Sequence, residues 1–458
     1  MKNAPELLAP AGTLRHLEYA FAFGADAVYA GMPRYSLRVR NNAFDRQTIE
    51  QGIQRAHELN KQFFLACNLI PHGSKVDTFM QDIEPFIGLK PDAMIMADPG
   101  LIMMVRDKWP EVPIHLSVQA NTMNAATVKF WERIGVRRII LSRELSLDEV
   151  EEIRQACPEM ELEVFIHGAL CIAYSGRCLL SGYMSHRDAN QGSCTNSCRW
   201  DYKVKAASSQ VDSENPNIRH SAADEPWLLE EKQRPGEEMT VYEDEAGTYI
   251  MNSKDLRAVE HIQRLVDIGV DSLKIEGRTK SIYYVTRVCQ SYRAAIDDAV
   301  AGRAFDERHI MDLEKLSNRG YTSGFYQRHN HKEYQTYDTN HSRNRSQIFV
   351  GEVLAYDAKS GLAEVDVKNK IQCGDDIEVI MPGGSKHFTI DKMLDEQGNE
   401  IDIAPGSGWR IKLALEGAKA PALIARYIEE EQQSVIRVTV DEPKDDSDMP
   451  ANSRRPSP

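Results

Sequence analysis

Residues 5–31 read PELLAPAGTLRHLEYAFAFGADAVYAG, and they contain one full unit of the pattern that sets the architecture. The apolar run Glu6–Pro10 (ELLAP) is followed by an amphipathic stretch at 14–23 and a second run at Ala27–Gly31 (AVYAG). Gly24-Ala25-Asp26-Ala27 marks the helix end before the second strand. A short apolar run bounded by turn signals is what a parallel strand buried on both faces looks like. Outward from here the run recurs at 63–68, 93–98, 114–119, 138–142, 162–167 and 272–276, with amphipathic stretches at 46–60, 100–109 and 147–156. Eight strands alternating with helices predict an α/β protein built on a closed (β/α)8 TIM-like barrel rather than an open sheet.

Barrel enzymes work at the C-terminal ends of their strands. Those ends carry Tyr29, Asn68, Asp98, Gln119, Asn121, Arg143, His167, Lys274, Glu276 and Arg278. Four are candidates for the chemistry: His167, Arg143, Glu276 and Arg278. Tyr29, Asn68, Asp98, Gln119, Asn121 and Lys274 are candidates for holding substrate. Gln119 and Asn121 are neutral amides that can read a polar ligand through hydrogen bonds. Each has a duller reading: Asp98 precedes Pro99-Gly100 and suits a helix cap, and Glu276 with Arg278 suits an ion pair closing the barrel.

Directly after the seventh run lies HGALCIAYSGRCLLSGYMSHRDANQGSCTNSCRW, residues 167–200. It holds four of the eight cysteines: Cys171, Cys178, Cys194 and Cys198. Four soft thiolates within about thirty residues suit a tetrahedral metal or an iron–sulfur cluster. Zinc ribbons usually show two tight Cys pairs, and here only Cys194 and Cys198 are close, so a redox cluster is preferred over structural zinc or disulfides. The segment would overhang the barrel mouth. Cys67, Cys157, Cys289 and Cys373 are scattered and read as small buried residues.

No apolar run reaches the roughly eighteen residues that a membrane span requires, and MKNAPELLAPAG has no signal-peptide character. The expectation is a cytoplasmic protein without a membrane partner. The net charge of −14 is unevenly placed. Residues 207–247 hold eleven acids against three bases, and 429–458 hold eight against four, so these two segments account for −12. The remainder is near neutral and keeps basic clusters, among them Arg137, Arg138 and Arg143, which read as solvated faces and permit RNA binding.

The domains follow. Residues 1–330 form the barrel, with an acidic excursion at 206–247 that reads as a partly disordered lid or flap before the last helix–strand unit. Residues 331–346 are a polar connector. From 347 to 430 the period changes to two, with runs at 349–357, 362–368, 376–381, 387–390 and 409–413, which predicts a small all-β barrel. Disorder is expected for 441–458.

Several blocks now carry a resemblance: PELLAPAG, GADAVYAG, YSLRVRNN, HLSVQAN, ILSREL, HGALCIAYSGRCLLSGY, CTNSCRW, MNSKDL and KIEGRTKS. They resemble peptidase family U32, most closely its bacterial prephenate-dependent tRNA uridine hydroxylase branch, over about residues 5–430. The resemblance implies a tRNA-modifying enzyme that converts the wobble uridine of the anticodon loop to 5-hydroxyuridine, depends on prephenate as co-substrate and does not require dioxygen. It also implies a 4Fe–4S cluster on Cys171, Cys178, Cys194 and Cys198, supplied by the iron–sulfur assembly machinery. Relatives in the superfamily hydroxylate ribosomal RNA or ubiquinone precursors, and some members were named collagenase-like proteases. The peptidase reading has neither a His-Glu-x-x-His motif nor a Gly-x-Ser-x-Gly elbow in this chain. A metal-stabilised RNA-binding scaffold is the non-catalytic alternative.

Overall fold

The computed structural model describes residues 4–37, 43–170, 173–175, 177–185, 194–195, 197–199, 202–206, 227–231, 238–241, 254–318, 320–327 and 346–428. Cys171, most of the acidic excursion, nearly all of the connector and the tail lie outside them.

Seven strands come first: β1 (Glu6–Pro10), β2 (Ala27–Gly31), β3 (Gln62–Cys67), β4 (Ala93–Met96), β5 (Ile114–Leu116), β6 (Arg138–Ile140) and β7 (Glu161–Ala169). Between them run α1 (Leu14–Ala22), α2 (Arg46–Glu58), α3 (Ser74–Ile87), α4 (Pro99–Lys108), α5 (Ala125–Ile134) and α6 (Leu147–Ala156). The cysteine segment carries α7 (Leu180–Ser185). The excursion, read from sequence as unpatterned, contains part of an antiparallel sheet: β8 (Tyr202–Ala206), β9 (Trp227–Glu231) and β10 (Glu238–Val241). Then follow β11 (Asp255–Arg257), α8 (Ile262–Ile268), β12 (Ser272–Ile275), α9 (Ile282–Val300), α10 (Arg308–Glu314) and β13 (Tyr321–Thr322).

The eighth barrel strand is β12. It pairs in parallel with β1, Leu273 opposite Leu7, and with β7, Leu273 opposite Val164, and so closes the predicted barrel. Alternate residues serve two cores. Leu7, Val28, Leu65, Met94, Leu116, Ile139 and Val164 face the helices. Leu8, Tyr29, Phe64, Ile95, Ile140 and Phe165 fill the barrel interior. Both faces are buried, which is why the runs read as continuously apolar. Helix starts are set locally: Thr13 caps α1, and Ser146 with Glu149 forms a capping box on α6.

The interior also holds charge. Arg138 donates to Glu6 at 2.6 Å and to Glu163 at 3.3 Å, and Lys274 donates to Glu163 at 2.7 Å. Arg138 is only 6% exposed, so the expectation of a solvated face fails there. A strand residue beside other polar interior positions is turned inward whatever its charge, and burial is tolerated because each charge is paired.

The C-terminal unit is antiparallel and all-β, beginning with β14 (Gln347–Asp357), β15 (Leu362–Val367), β16 (Asn369–Gln372), β17 (Asp376–Met381) and β18 (Gly384–Thr389). Its last strand, Ala422–Tyr427, lies between β14 and β17. Ile380, Leu423 and Ala425 join the apolar core of the barrel, so the two units share one packed interface.

Candidate active site at the barrel mouth

The strands end early on one side. β3, β4, β5 and β6 stop at Cys67, Met96, Leu116 and Ile140, so Asn68, Asp98, Gln119, Asn121 and Arg143 sit on the loops that follow. Three groups of contacts form there.

In the first, Arg143 donates to Glu276 at 2.6 Å and to the Ala169 carbonyl at 3.2 Å. Its guanidinium carbon lies 3.8 Å from the centroid of the Phe165 ring. A charge-assisted bond on one edge and an aromatic face beneath fix the plane of the guanidinium. Glu276 is held in turn. Gly168, at φ +118, has no Cβ, and one placed there would come within 2.7 Å of the Glu276 carbonyl oxygen. The Glu276 amide donates to the His167 carbonyl at 2.8 Å, and the Tyr284 hydroxyl donates to the Glu276 carbonyl at 2.8 Å.

In the second, Asn68 accepts from the Leu37 amide at 3.2 Å and donates to Ser117 at 3.2 Å, while Arg278 donates to the Leu37 carbonyl at 2.5 Å. Gly12 lets that loop approach: a Cβ there would meet the Arg278 carbonyl oxygen at 2.4 Å. In the third, Asn121, in the left-handed region at φ 52, donates to the Ser175 carbonyl at 2.6 Å and accepts from Ser142 at 3.4 Å. Ser175 belongs to the cysteine segment, so this side chain ties the segment to the mouth. The half-buried Gln119 amide side chain has no hydrogen-bond partner among the described residues.

The side chains of the other candidates are held by different contacts. Lys274 is in the interior ion network, and burial, opposed by Glu163, pulls its pKa down. Tyr29 is buried and donates to the Ile275 carbonyl at 3.0 Å. Asp98 caps α4 by accepting from Leu101 at 3.0 Å. His167 is 1% exposed and surrounded by Tyr284, Tyr292 and Tyr321, with ring centroids 5.4–5.7 Å away. Sequence reasoning missed Phe165, Ser117, Ser142 and Ser175; each looks like an ordinary strand or loop residue, and only closure of the barrel brings it to a functional group.

Burial takes the pKa of His167 down to about 3, with Lys280 and Arg257 adding to the effect. The folded state therefore refuses a proton that the unfolded chain accepts near pH 6.5. Stability from this group is complete above pH 6.5 and falls as pH drops towards 3, by up to about 1.4 kcal/mol per pH unit. Denaturant titrations at pH 7.5 and 5.0 should show that loss, and His167→Gln should make it shallower. An unchanged slope in the variant would assign the proton to another group, such as His115, which burial also holds low.

The thiols are tested by what surrounds them. Cys178 and Cys198 are partly buried and Cys194 is exposed. Ser181 and Thr195 are joined twice, hydroxyl to hydroxyl at 3.0 Å and Thr195 amide to Ser181 oxygen at 3.0 Å. Thr195 also reaches Ser185 at 3.1 Å and Ser197 at 2.7 Å. This hydroxyl cluster pins the stretch after Cys178 to the stretch that carries Cys194 and Cys198. Among the described residues no three His, Cys, Asp or Glu side chains converge as a metal site, and Cys171 lies outside those residues. Cys178, Cys194 and Cys198 are soft donors of the type an iron–sulfur cluster takes, and the hydroxyl clamp holds together two of the stretches that carry them.

Among the described residues, the Ser or Thr hydroxyl in contact with an imidazole is Thr13, 2.8 Å from His16. The other ring nitrogen of His16 lies 3.0 Å from the Lys280 carbonyl, and Thr13 caps α1, so the pair fastens a helix start. A cavity of about 540 Å³, lined in part by Phe64, His115 and Arg138, opens at the N-terminal end of the barrel, away from the mouth.

A model of peptidase family U32 matches residues 12–336, and a model of that family's C-terminal domain matches residues 345–426. The chain belongs to peptidase family U32. Similar curated relatives include tRNA hydroxylation protein P of Escherichia coli, 54% identical over 90% of this chain and 94% of that one. The protein of the same name from Haemophilus influenzae is 54% identical over 88% and 92%. tRNA hydroxylation protein P1 of Bacillus subtilis is 34% identical over 92% and 94%. No helix among the described residues is long and apolar enough to cross a membrane.

Proposed function

We propose that this U32 protein hydroxylates tRNA, converting the wobble uridine of the anticodon loop to 5-hydroxyuridine with prephenate as co-substrate. The observation that carries this reading is the similarity, along nearly the whole chain, to proteins named for tRNA hydroxylation. The tether from Asn121 to Ser175 supports the location, because it ties one residue of the cysteine segment to the loop after β5.

The net change replaces C5–H of uracil by C5–OH; with oxygen taken at the oxidation level of water it releases two protons and two electrons per uridine, which leave to an external electron acceptor. C5 is hidden in a stacked loop, so the nucleotide is extruded into the mouth. There the unpartnered amide of Gln119 reads the polar edge of the base. Arg143 presents a guanidinium fixed by Glu276 and Phe165 to a carboxylate of prephenate, and Arg278 takes the second carboxylate. Asn68, through Leu37, holds the loop against which Arg278 rests. Cys171, Cys178, Cys194 and Cys198 would hold a 4Fe–4S cluster, loaded by the assembly machinery. When bound, it supplies electron transfer beside the substrate.

The test is nucleoside mass spectrometry of tRNA from cells that lack this protein and any dioxygen-dependent uridine hydroxylase. The wild-type gene should restore 5-hydroxyuridine. A Gln119→Ala gene should restore it about tenfold more slowly, the scale expected for one lost hydrogen bond to a base edge. Unaltered 5-hydroxyuridine in cells without the protein would end the tRNA assignment.

A further inference from the structure

Two exposed aromatic side chains stand on the rim of this mouth and take no part in the groups described above. Tyr174 is 49% exposed, and its carbonyl accepts from the Arg177 amide at 3.0 Å, making a tight turn. That turn contains Ser175, so Asn121 fixes it to the loop that follows β5. Leu179, in the same segment, is 67% exposed. On the other side, Phe325 is 39% exposed, and the hydroxyl of its neighbour Tyr326 donates to the Phe165 carbonyl of β7 at 2.5 Å.

Charge on this rim is lopsided. Glu276 is taken by Arg143, Glu144 accepts from Ser142 at 2.7 Å, and Asp98 caps α4. Arg177, Lys254 and Lys280 have no carboxylate partner among the described residues. Lys254 directly precedes β11, which pairs with the end of β7, and Lys280 follows the KIEGR loop. Within a chain of net charge −14, an aromatic rim whose cations are unneutralised suits a polyanion with exposed bases.

We infer that Tyr174 and Phe325 stack on unpaired nucleotides flanking the extruded uridine, while Arg177, Lys254 and Lys280 contact their phosphates. This rests on the tRNA reading above and adds how the loop is gripped. Stacking on an aromatic ring is tolerant of base identity, so the rim would place the loop and leave reading of the target base to the mouth.

The experiment is fluorescence anisotropy of the full-length protein with a synthetic anticodon stem–loop carrying U at the wobble position, and with a blunt duplex of matched composition. The wild type should prefer the stem–loop. Tyr174→Ala should weaken stem–loop binding about tenfold, and Tyr174→Phe, which keeps the ring, should restore it. Replacing Arg177, Lys254 and Lys280 by Gln should each lower the slope of log affinity against log salt by about one. Tyr174→Ala binding as tightly as wild type would overturn the rim assignment while wild-type 5-hydroxyuridine formation stands. Equal wild-type affinity for duplex and stem–loop would do the same, as it would for a rim that docks a protein instead. A wild-type protein that binds neither RNA and forms no 5-hydroxyuridine would remove both readings together.

Discussion

Cys178→Ser and Cys194→Ser are each expected to lower 5-hydroxyuridine in tRNA by about a hundredfold or more, and to lower iron and acid-labile sulfide per chain in parallel. Serine keeps the size of the side chain but offers a hard, protonated oxygen where the proposed cluster would need a thiolate. Groups one shell further out typically change metal affinity or activity by about ten- to a hundredfold, so a ligand itself should cost at least the upper figure. Thr195→Val probes that outer layer, because it removes the hydroxyl bonds to Ser181, Ser185 and Ser197 while leaving every thiol in place. Its loss should be smaller than either cysteine's. A fully active Cys178→Ser protein would defeat the cluster assignment, and zinc in place of iron with modification intact would move the metal to a structural role.

How far the sequence reaches depends on whether a property is local. The barrel could be read because each strand is a short apolar run between turn signals, and two-sided burial leaves that mark on every strand. Asp98 as a cap could be read too, since its partner Leu101 is three residues away. The pairing of Arg143 with Glu276 could not, because the two are 133 residues apart and meet only when β12 closes on β7. The same holds for Arg138. Its neighbours Arg137 and Arg143 suggested a basic face, yet its partner Glu163 lies on the adjacent strand β7 and its partner Glu6 on β1, which only the closed barrel brings within reach. Lys274 sits one residue before the end of β12 and looked like a mouth residue; the alternation of the strand turns it to Glu163 instead. The sheet strands in the acidic excursion escaped because charge and turn-forming residues outweigh alternation in so short a run.

Arg287→Met should be the most destabilising single change that leaves the mouth untouched. Arg287 is fully buried on α9, and its guanidinium lies 2.9 Å from Glu378 on β17, itself buried. Glu378 also accepts from Gln347 at 2.7 Å and Lys315 at 3.2 Å. Burial alone would raise the pKa of Glu378, but the hydrogen bond and charge of Arg287, helped by Gln347 and Lys315, bring it well below the usual carboxylate range. The contribution of this carboxylate is therefore present above its unfolded value near pH 4.3 and is lost only as pH falls through the lower folded value. Removing Arg287 leaves a buried charge poorly compensated, at a cost of about 3–5 kcal/mol. Without Arg287 the sign reverses: the folded Glu378 becomes the better proton acceptor, so the deficit should shrink as pH is lowered from 7 towards 4.5. Arg287→Met combined with Glu378→Gln should recover much of the loss at pH 7, because the unpaired charge is gone. Calorimetry reads all of this directly. The single transition expected of wild type should split in Arg287→Met, with the C-terminal unit melting first, since this cluster lies where β17 and β14 meet α9. A variant that melts in one transition within about 1 kcal/mol of wild type would mean that the apolar contacts of Ile380, Leu423 and Ala425 hold the two units together without it.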